Sequence, residues 1–330
     1  MKEILEYLYQ HKTLSKKEAR QILMDIASEK YNHYEITSFL TAFIMRNITI
    51  EELRGFREAL LELAVKVDLS DFNPMDVCGT GGDGKNTFNV STLTSLVVAG
   101  AGIPVAKHGN YGVSSISGSS NVLEAIGVVF QTDESKLKQQ LDQANICFMH
   151  APLFHPAMRF VAPVRRELGV KTFFNMLGPL VNPAQPKIQM TGVFNMELAR
   201  MYHYLFQEDD KQYAIVYGLD GYDEITLTSD TKIMTDEEEY ITNAAAFGFE
   251  TTTQSDIHGG DTIEESATIF NNILDGKGTR AQNQVVLANA AVAIKSYQSK
   301  YNTETALQMA EESLLGGKAK QTLTKLIALQ

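Results

Sequence analysis

An α/β fold, with a mostly parallel central sheet flanked by helices and a smaller all-α domain, is what the amino-acid sequence predicts, on three observations. Residues 1–70 hold helix starts and no strand-like run. From Asp71 onward short β-rich runs alternate with helical stretches, the order that builds parallel strands joined by crossover helices. Two of those runs end in polar, glycine-rich loops, and open α/β sheets bind ligands outside the carboxyl ends of their strands.

The N-terminal helices are marked by their caps. After a short apolar stripe of Ile4, Leu5 and Leu8, Ser15 with Glu18 forms a capping box that opens a helix carrying Ala19, Ile22, Leu23 and Ile26. Asn32 with Glu35 opens a third, carrying Ile36, Leu40, Phe43 and Ile44, and Thr49 with Glu52 opens a fourth, carrying Leu53, Phe56, Leu60 and Leu63.

Strands are expected at Met75 to Cys78, Ile103 to Ala106, Ile146 to Met149, Met190 to Phe194 and Tyr213 to Tyr217, with helices near 91–101, 119–127, 135–144 and 196–206. Between about 152 and 183 the pattern returns to helix, His155 to Leu168 and Thr172 to Leu177, closed by Gly178-Pro179. Later helices open at Asp261 with Glu264, near Gln282 and at Asn302, and Gly316-Gly317 ends the last but one. Residues 234–260 show no readable pattern, and there is no internal repeat or low-complexity linker.

At 330 residues the length suggests two domains, taking about 150 residues for each. Hydrophobic residues are 44% and no run approaches a membrane span, which takes roughly 18 apolar residues or more. A soluble protein with no membrane partner is expected. Cys78 and Cys147 cannot make a disulfide framework or zinc quartet, and the N-terminus has no signal-peptide core, so the cytoplasm is the expected location. The formal net charge of −11 opposes non-specific binding to nucleic acid. A phosphate site in such a chain must be built locally, from backbone N–H groups, a few cations and a metal.

The first loop, Gly79-Thr80-Gly81-Gly82-Asp83-Gly84-Lys85, runs from a strand to a helix start at which Ser91 and Thr92 are expected to cap. Glycines let backbone N–H groups approach an anion, and the helix start adds more of them. It follows neither the Walker pattern nor Gly-x-Gly-x-x-Gly, so a nucleoside triphosphatase and a dinucleotide enzyme are not the natural readings. The second loop, Lys107 to Ser120, follows the next strand, and the two would face one crevice able to hold several phosphates. Lys107, Lys85, Thr87, Ser91, Thr92 and Ser119 offer donors; Ser119 is equally read as a helix cap, and Lys85 as a surface lysine. Asp223 and Glu224 would point opposite ways in a strand and reach one site only in a turn. With phosphate loops elsewhere they suggest Mg²⁺, the alternative being a solvated acidic turn.

Together these motifs resemble the anthranilate phosphoribosyltransferases, of the nucleoside phosphorylase-like class. Gly-Thr-Gly-Gly-Asp at 79–83, Asn-Val-Ser-Thr at 89–92, Lys-His-Gly-Asn at 107–110, His155 to Arg159, Pro163 to Arg165, Phe174 to Pro183 and Gly221 to Glu224 carry the resemblance in order, over nearly the whole chain. It implies a discontinuous small helical domain, 1–70 with about 152–183, forming a homodimer, and a large α/β domain, 71–151 with 184–330. It implies transfer of the phosphoribosyl group from phosphoribosyl pyrophosphate to anthranilate in tryptophan synthesis, with two Mg²⁺ ions at Ser91, Asp223 and Glu224. Gly79, Gly82, Asp83, Thr87, Asn89, Val90, Ser91, Thr92, Lys107, Ser115 and Ser119 would bind the pyrophosphate substrate. Gly79, His108, Asn110, Met158, Arg165 and Gly178 would bind anthranilate, Arg165 through its carboxylate. No side chain is expected to act as acid, base or nucleophile, and His155 is expected to hold a helix start.

The chain departs from that family's usual pattern at Tyr111 and Ile116, where relatives commonly carry cations. The enzyme would then rely more on Mg²⁺, Lys107 and backbone N–H groups, and Tyr111→Arg is expected to strengthen substrate binding. A pyrimidine nucleoside phosphorylase of the same fold and a silent nucleic-acid-binding relative are the rival readings. The Asp223-Glu224 pair and the Arg165 segment oppose the first, and the acidic charge opposes the second.

Overall fold

The strand-like runs become β1 (Met75–Gly79), β2 (Val105–Gly109), β3 (Ile146–His150), β4 (Ile188–Gly192) and β5 (Gln212–Gly218), joined by β6 (Thr231–Thr235) and β7 (Glu239–Thr242). They form one sheet in the order β3-β2-β1-β4-β5-β6-β7, parallel as far as β5 and antiparallel beyond it. In this computed structural model, which describes residues 1–112 and 116–330, the chain divides into two compact units. One is Met1–Lys66 with Ala151–Pro183, and the other, holding the sheet, is Val67–His150 with Ala184–Gln330. The first boundary thus falls at Lys66, earlier than residue 70.

Two strands are shifted from their expected positions. The β2 ladder starts after Pro104, which has no N–H to give, and continues through Lys107, His108 and Gly109, expected as loop. Polar Lys107 and His108 are buried there. β4 starts at Ile188, because Gln189 is buried with its amide donating to Thr191 Oγ1 at 2.9 Å and accepting from Lys211 Nζ at 2.9 Å. A satisfied polar residue in a strand hides it from a hydrophobicity pattern.

The core of the sheet unit is centred on the Arg280–Tyr297 helix, buried continuously from Gln284 to Ile294. It packs on the Val90–Gly100 and Thr303–Leu314 helices and on β4 and β5. Being apolar all round, it shows no amphipathic period.

In the helical unit all three capping boxes form, on the helices Lys16–Ala27, His33–Ile44 and Ile50–Leu63. Residues 151–183 belong with these helices because Phe173 stacks on Phe56 at 4.3 Å, with Phe39 and Phe43 set edge-on around the pair. Arg57 Nε also donates to Leu180 O at 3.1 Å, and Val65 N to Phe154 O at 2.8 Å. The helix expected from His155 to Leu168 is two pieces, a 3-10 turn Pro156–Phe160 and the helix Ala162–Leu168. Pro163 can stand only in a helix's first turn, so one continuous helix is excluded. Thr172 to Leu177 is likewise a 3-10 turn, Phe173–Met176.

The Thr49 cap carries more than its own helix. Glu52, fully buried, accepts from Leu14 N at 2.8 Å and Thr49 N at 2.9 Å, and pairs with Arg46 Nη1 at 2.9 Å and Nη2 at 2.5 Å. Burial raises its pKa, but the Arg46 and backbone hydrogen bonds outweigh burial and hold the carboxyl below the usual range. Its contribution is therefore present above the unfolded value of about 4.3 and is lost as pH falls through the lower folded value. Glu52→Gln is expected to cost about 3–5 kcal/mol at neutral pH, since it strands the largely buried Arg46 side chain. Urea unfolding of both proteins measures this, and the gap should narrow as pH drops below about 4.

Candidate active site

The two glycine loops leave the carboxyl ends of neighbouring strands, β1 at Gly79 and β2 at Gly109. β1 is the strand from which the order turns both ways, β2 on one side and β4 on the other, which is where open sheets leave a crevice. Asn89 Nδ2 donates to Ser117 O at 3.0 Å and so ties the end of the first loop to the second. The far side of the first loop is braced by the stretch that showed no pattern: Phe88 N donates to Ile257 O at 3.2 Å and Gly259 N to Asn86 O at 2.8 Å. Thr87 forms a bridge with His258 there.

Asp223 and Glu224 lie in the bends after β5, in a turn as both reaching one site requires. Gly81, at φ 62°, turns its N–H onto Asp223 Oδ2 at 2.7 Å. Glu224 Oε1 accepts from Ser91 N at 3.1 Å. Ser91 and Thr92 were expected as caps, but the helix begins one residue earlier, at Val90, after Asn89, whose side chain makes no cap. The free amide of its first turn is instead satisfied by Glu224, 133 residues away, at the positive end of the helix dipole. Asn289, fully buried in the central helix, holds the next residue at both ends. It accepts from Ile225 N at 3.1 Å and donates to Ile225 O at 2.8 Å. Asn289 carried no sequence signal, since it sits in an alanine-rich helix.

Lys107 is buried in β2, where its ammonium donates to Val77 O and lies 3.4 Å from Ser91 Oγ. Burial lowers its pKa, against the pull of Asp76 and Glu224. Burial first, and then the Asp83 charge, push the Asp223 carboxyl up to about 7. Burial and Asp223 raise Glu224 well above the usual carboxylate range. Carboxylates that repel one another around a buried Asp223, with Asp83 and Glu224 partly buried beside it, are a donor set that fits a cation. Among the described residues no three His, Cys, Asp or Glu side chains form a metal cage by themselves. The set therefore suits Mg²⁺, which binds one or two carboxylates and completes its octahedron with waters and substrate phosphates.

Gly79, Gly82, Asp83, Thr87, Asn89, Val90, Ser91, Thr92, Lys107, His108, Asn110 and Ser119 all lie in the sheet unit, on or beside these loops. Ser115 lies outside the described residues. Two hydroxyls carried no expectation: Thr80 Oγ1 and Ser117 Oγ are buried in the loops with no hydrogen-bond partner among the described residues. Lys85 is placed 4.7 Å above the ring of Tyr222.

Met158, Arg165 and Gly178 lie in the helical unit. Arg165, half-buried, makes one long contact with Asn175 Oδ1 at 3.4 Å and faces the Phe174 ring at 5.3 Å, with no ion pair among the described residues. Burial lowers its pKa to about 10. A guanidinium held without a carboxylate is ready to receive one. His155 is buried, its Nε2 donating to Val181 O at 3.0 Å, and burial lowers its pKa to about 4. It is a neutral tether.

Gly192, the last residue of β4, has no room for a side chain, because a Cβ there would lie 1.6 Å from Asp223 O. Gly192→Ala is expected to cost at least 1–3 kcal/mol, roughly the penalty of forced overpacking. Gly178→Ala, where a Cβ meets nothing within 4 Å, should stay within about 0.5 kcal/mol of wild type. Urea unfolding of the two variants checks the contrast.

The sequence matches a glycosyl transferase family a/b domain over residues 72–320 and the helical bundle domain of the same family over residues 2–64. It is 59% identical to an anthranilate phosphoribosyltransferase of Flavobacterium psychrophilum, over 99% of this chain and 98% of the relative. The crystal structure of the Thermus thermophilus anthranilate phosphoribosyltransferase superposes with a TM-score of 0.90 at 29% identity, covering 98% of each chain. The Saccharomyces cerevisiae enzyme, solved with PRPP and Mg, gives 0.88 at 29% identity, over 96% of this chain and 93% of its own. The same yeast enzyme with 4-fluoroanthranilate gives 0.85 at 28%, with the same coverage. The chain belongs to the glycosyl transferase family, among the anthranilate phosphoribosyltransferases.

Proposed function

We propose that the protein transfers the 5-phosphoribosyl group from phosphoribosyl pyrophosphate to the amine of anthranilate, releasing pyrophosphate, in tryptophan synthesis. The observation that carries this reading is the meeting of Asp223, Glu224, the Gly81 and Ser91 amides and Lys107 at the ends of β1 and β2. The ribose C1–O bond breaks as the C1–N bond to the amine forms, and the amine releases a proton. The protein's part is to stabilise the departing charge and to align the amine, which calls for no side-chain nucleophile. Bound Mg²⁺, two ions with substrate present, would neutralise pyrophosphate. Asp223 and Glu224, with Ser91, would hold it, and Lys107 and the loop amides would add to the positive field.

Arg165 would take the anthranilate carboxylate, with Gly79, His108, Asn110, Met158 and Gly178 lining that substrate's place. The absence of a carboxylate partner on Arg165 among the described residues supports the assignment. A homodimer through the helical unit belongs to the same proposal, supported by Tyr9, Tyr34, Ile44 and Met45, which stand exposed on that unit. The proposal also puts the enzyme in the cytoplasm, where the free thiols Cys78 and Cys147 stay reduced.

Anthranilate fluorescence should fall when phosphoribosyl pyrophosphate and Mg²⁺ are added to the purified protein. If it instead cleaves thymidine or uridine with phosphate and leaves anthranilate untouched, the nucleoside phosphorylase reading replaces this one. Arg165→Ala should raise the anthranilate KM by about tenfold or more, the loss of one charge-assisted pair, and leave the other substrate's KM unchanged. Combining Asp223→Asn with Glu224→Gln should abolish the Mg²⁺ dependence together with most turnover, because amides replace hard anionic ligands poorly. Retained activity with an unchanged Mg²⁺ requirement would reduce the pair to an acidic turn.

A further inference from the structure

The second glycine loop is held by side chains of the short Ser119–Ala125 helix, and among its described residues no cation takes part. Asn121 Oδ1 accepts from two backbone amides at once, Gly112 N at 2.9 Å and Gly118 N at 3.0 Å, and so pinches the chain on either side of the loop. One level below, Asn110 O accepts from Ser120 N at 3.1 Å and Ser119 Oγ at 3.3 Å. The pinch is as tight as backbone allows, since a Cβ on Gly118 would lie 2.2 Å from Gly112 N. Tyr111, where a phosphate-binding cation was expected to be missed, is occupied differently: its hydroxyl donates to Glu124 Oε1 at 2.9 Å. Its ring stands edge-on to His150 at 4.7 Å, and His150 is itself stacked on Phe130 at 4.6 Å with Nδ1 2.8 Å from Ser120 Oγ. A cation placed at 111 along the same path would meet the Glu124 carboxylate.

We propose that Asn121 is a positioning residue for the transfer reaction, which fixes Gly112 and Gly118, the two ends of the second loop, for the pyrophosphate substrate, with the Tyr111–Glu124 bond as its second anchor. This rests on the function proposed above. The first loop is tied to the carboxylate pair through Gly81, whereas the hydrogen bonds of the second, among the described residues, run to its own following helix and to Asn89 rather than to that pair. Loosening the second loop therefore weakens the grip on substrate without touching the Mg²⁺ site. Asn121→Asp keeps an oxygen acceptor in place and Asn121→Leu removes it at similar size.

The test is steady-state kinetics of wild type and variants with both substrates and Mg²⁺ varied. Asn121→Leu is expected to raise the phosphoribosyl pyrophosphate KM about tenfold, the effect of leaving amides without their acceptor. Its kcat and the Mg²⁺ concentration for half-maximal rate at saturating substrate should stay within about twofold of wild type, and Asn121→Asp should restore KM to near the wild-type value, as expected when uniform binding alone is lost. Tyr111→Phe, which removes a single hydroxyl, should raise the same KM about threefold and carries the test if Asn121→Leu does not fold. An unchanged KM in Asn121→Leu and Tyr111→Phe overturns the proposal. So does an Asn121→Asp as impaired as Asn121→Leu, or a loss confined to kcat. A wild type that turns over while the variants behave like it sinks this inference alone; a wild type with no transfer activity sinks the functional reading and this inference with it.

Discussion

The structure of the site depends on one constraint: two adjacent carboxylates, Asp223 buried and Glu224 partly so, must find donors far away in sequence. A buried ionised group without partners is very costly. Here the donors are the amide of Gly81, in a left-handed turn, and the orphan amide of Ser91, at a helix N-terminus. Each solves the other's problem, for the helix start lacks a side-chain cap of its own. Gly192 lets the carboxylate loop lie directly on the end of β4, and Asn289 anchors it from the core. Few of these contacts could be changed singly.

That arrangement leaves charge in tension. Asp83, Asp223 and Glu224 repel one another, and Lys107 below them is too well tethered to reach out and neutralise all three. Repulsion of this sort is tolerated where a ligand relieves it. The helical unit shows the opposite sign: Arg165 is a guanidinium without a carboxylate among the described residues, while Arg46 in the same unit is paired through both terminal nitrogens with Glu52.

The two loops are stabilised by different means. Carboxylates govern the first, through the Gly81 and Ser91 amides. The second is held mainly by neutral acceptors, Asn121 Oδ1 and Asn110 O, with the Glu124 carboxylate taking the Tyr111 hydroxyl beside them.

Local chemistry was enough to determine the capped helices of residues 1–70, the alternation that makes the parallel strands, and the glycine loops, since caps, apolar periods and turn residues act over a few positions. Ser15, Asn32 and Thr49 form the boxes their spacing requires. β6 and β7 were not legible, because an antiparallel edge with half-exposed faces carries a weak pattern. Nor were the true start of β4, concealed by Gln189, or the break at Pro163, which the surrounding apolar residues masked. Above all, only the tertiary structure decided that Glu224 caps the Val90–Gly100 helix, that Gly192 must be bare and that Asn289 and Asn121 hold the loops. These are contacts between backbone amides and side chains brought together by folding, and a backbone N–H leaves no mark on the identity of its residue.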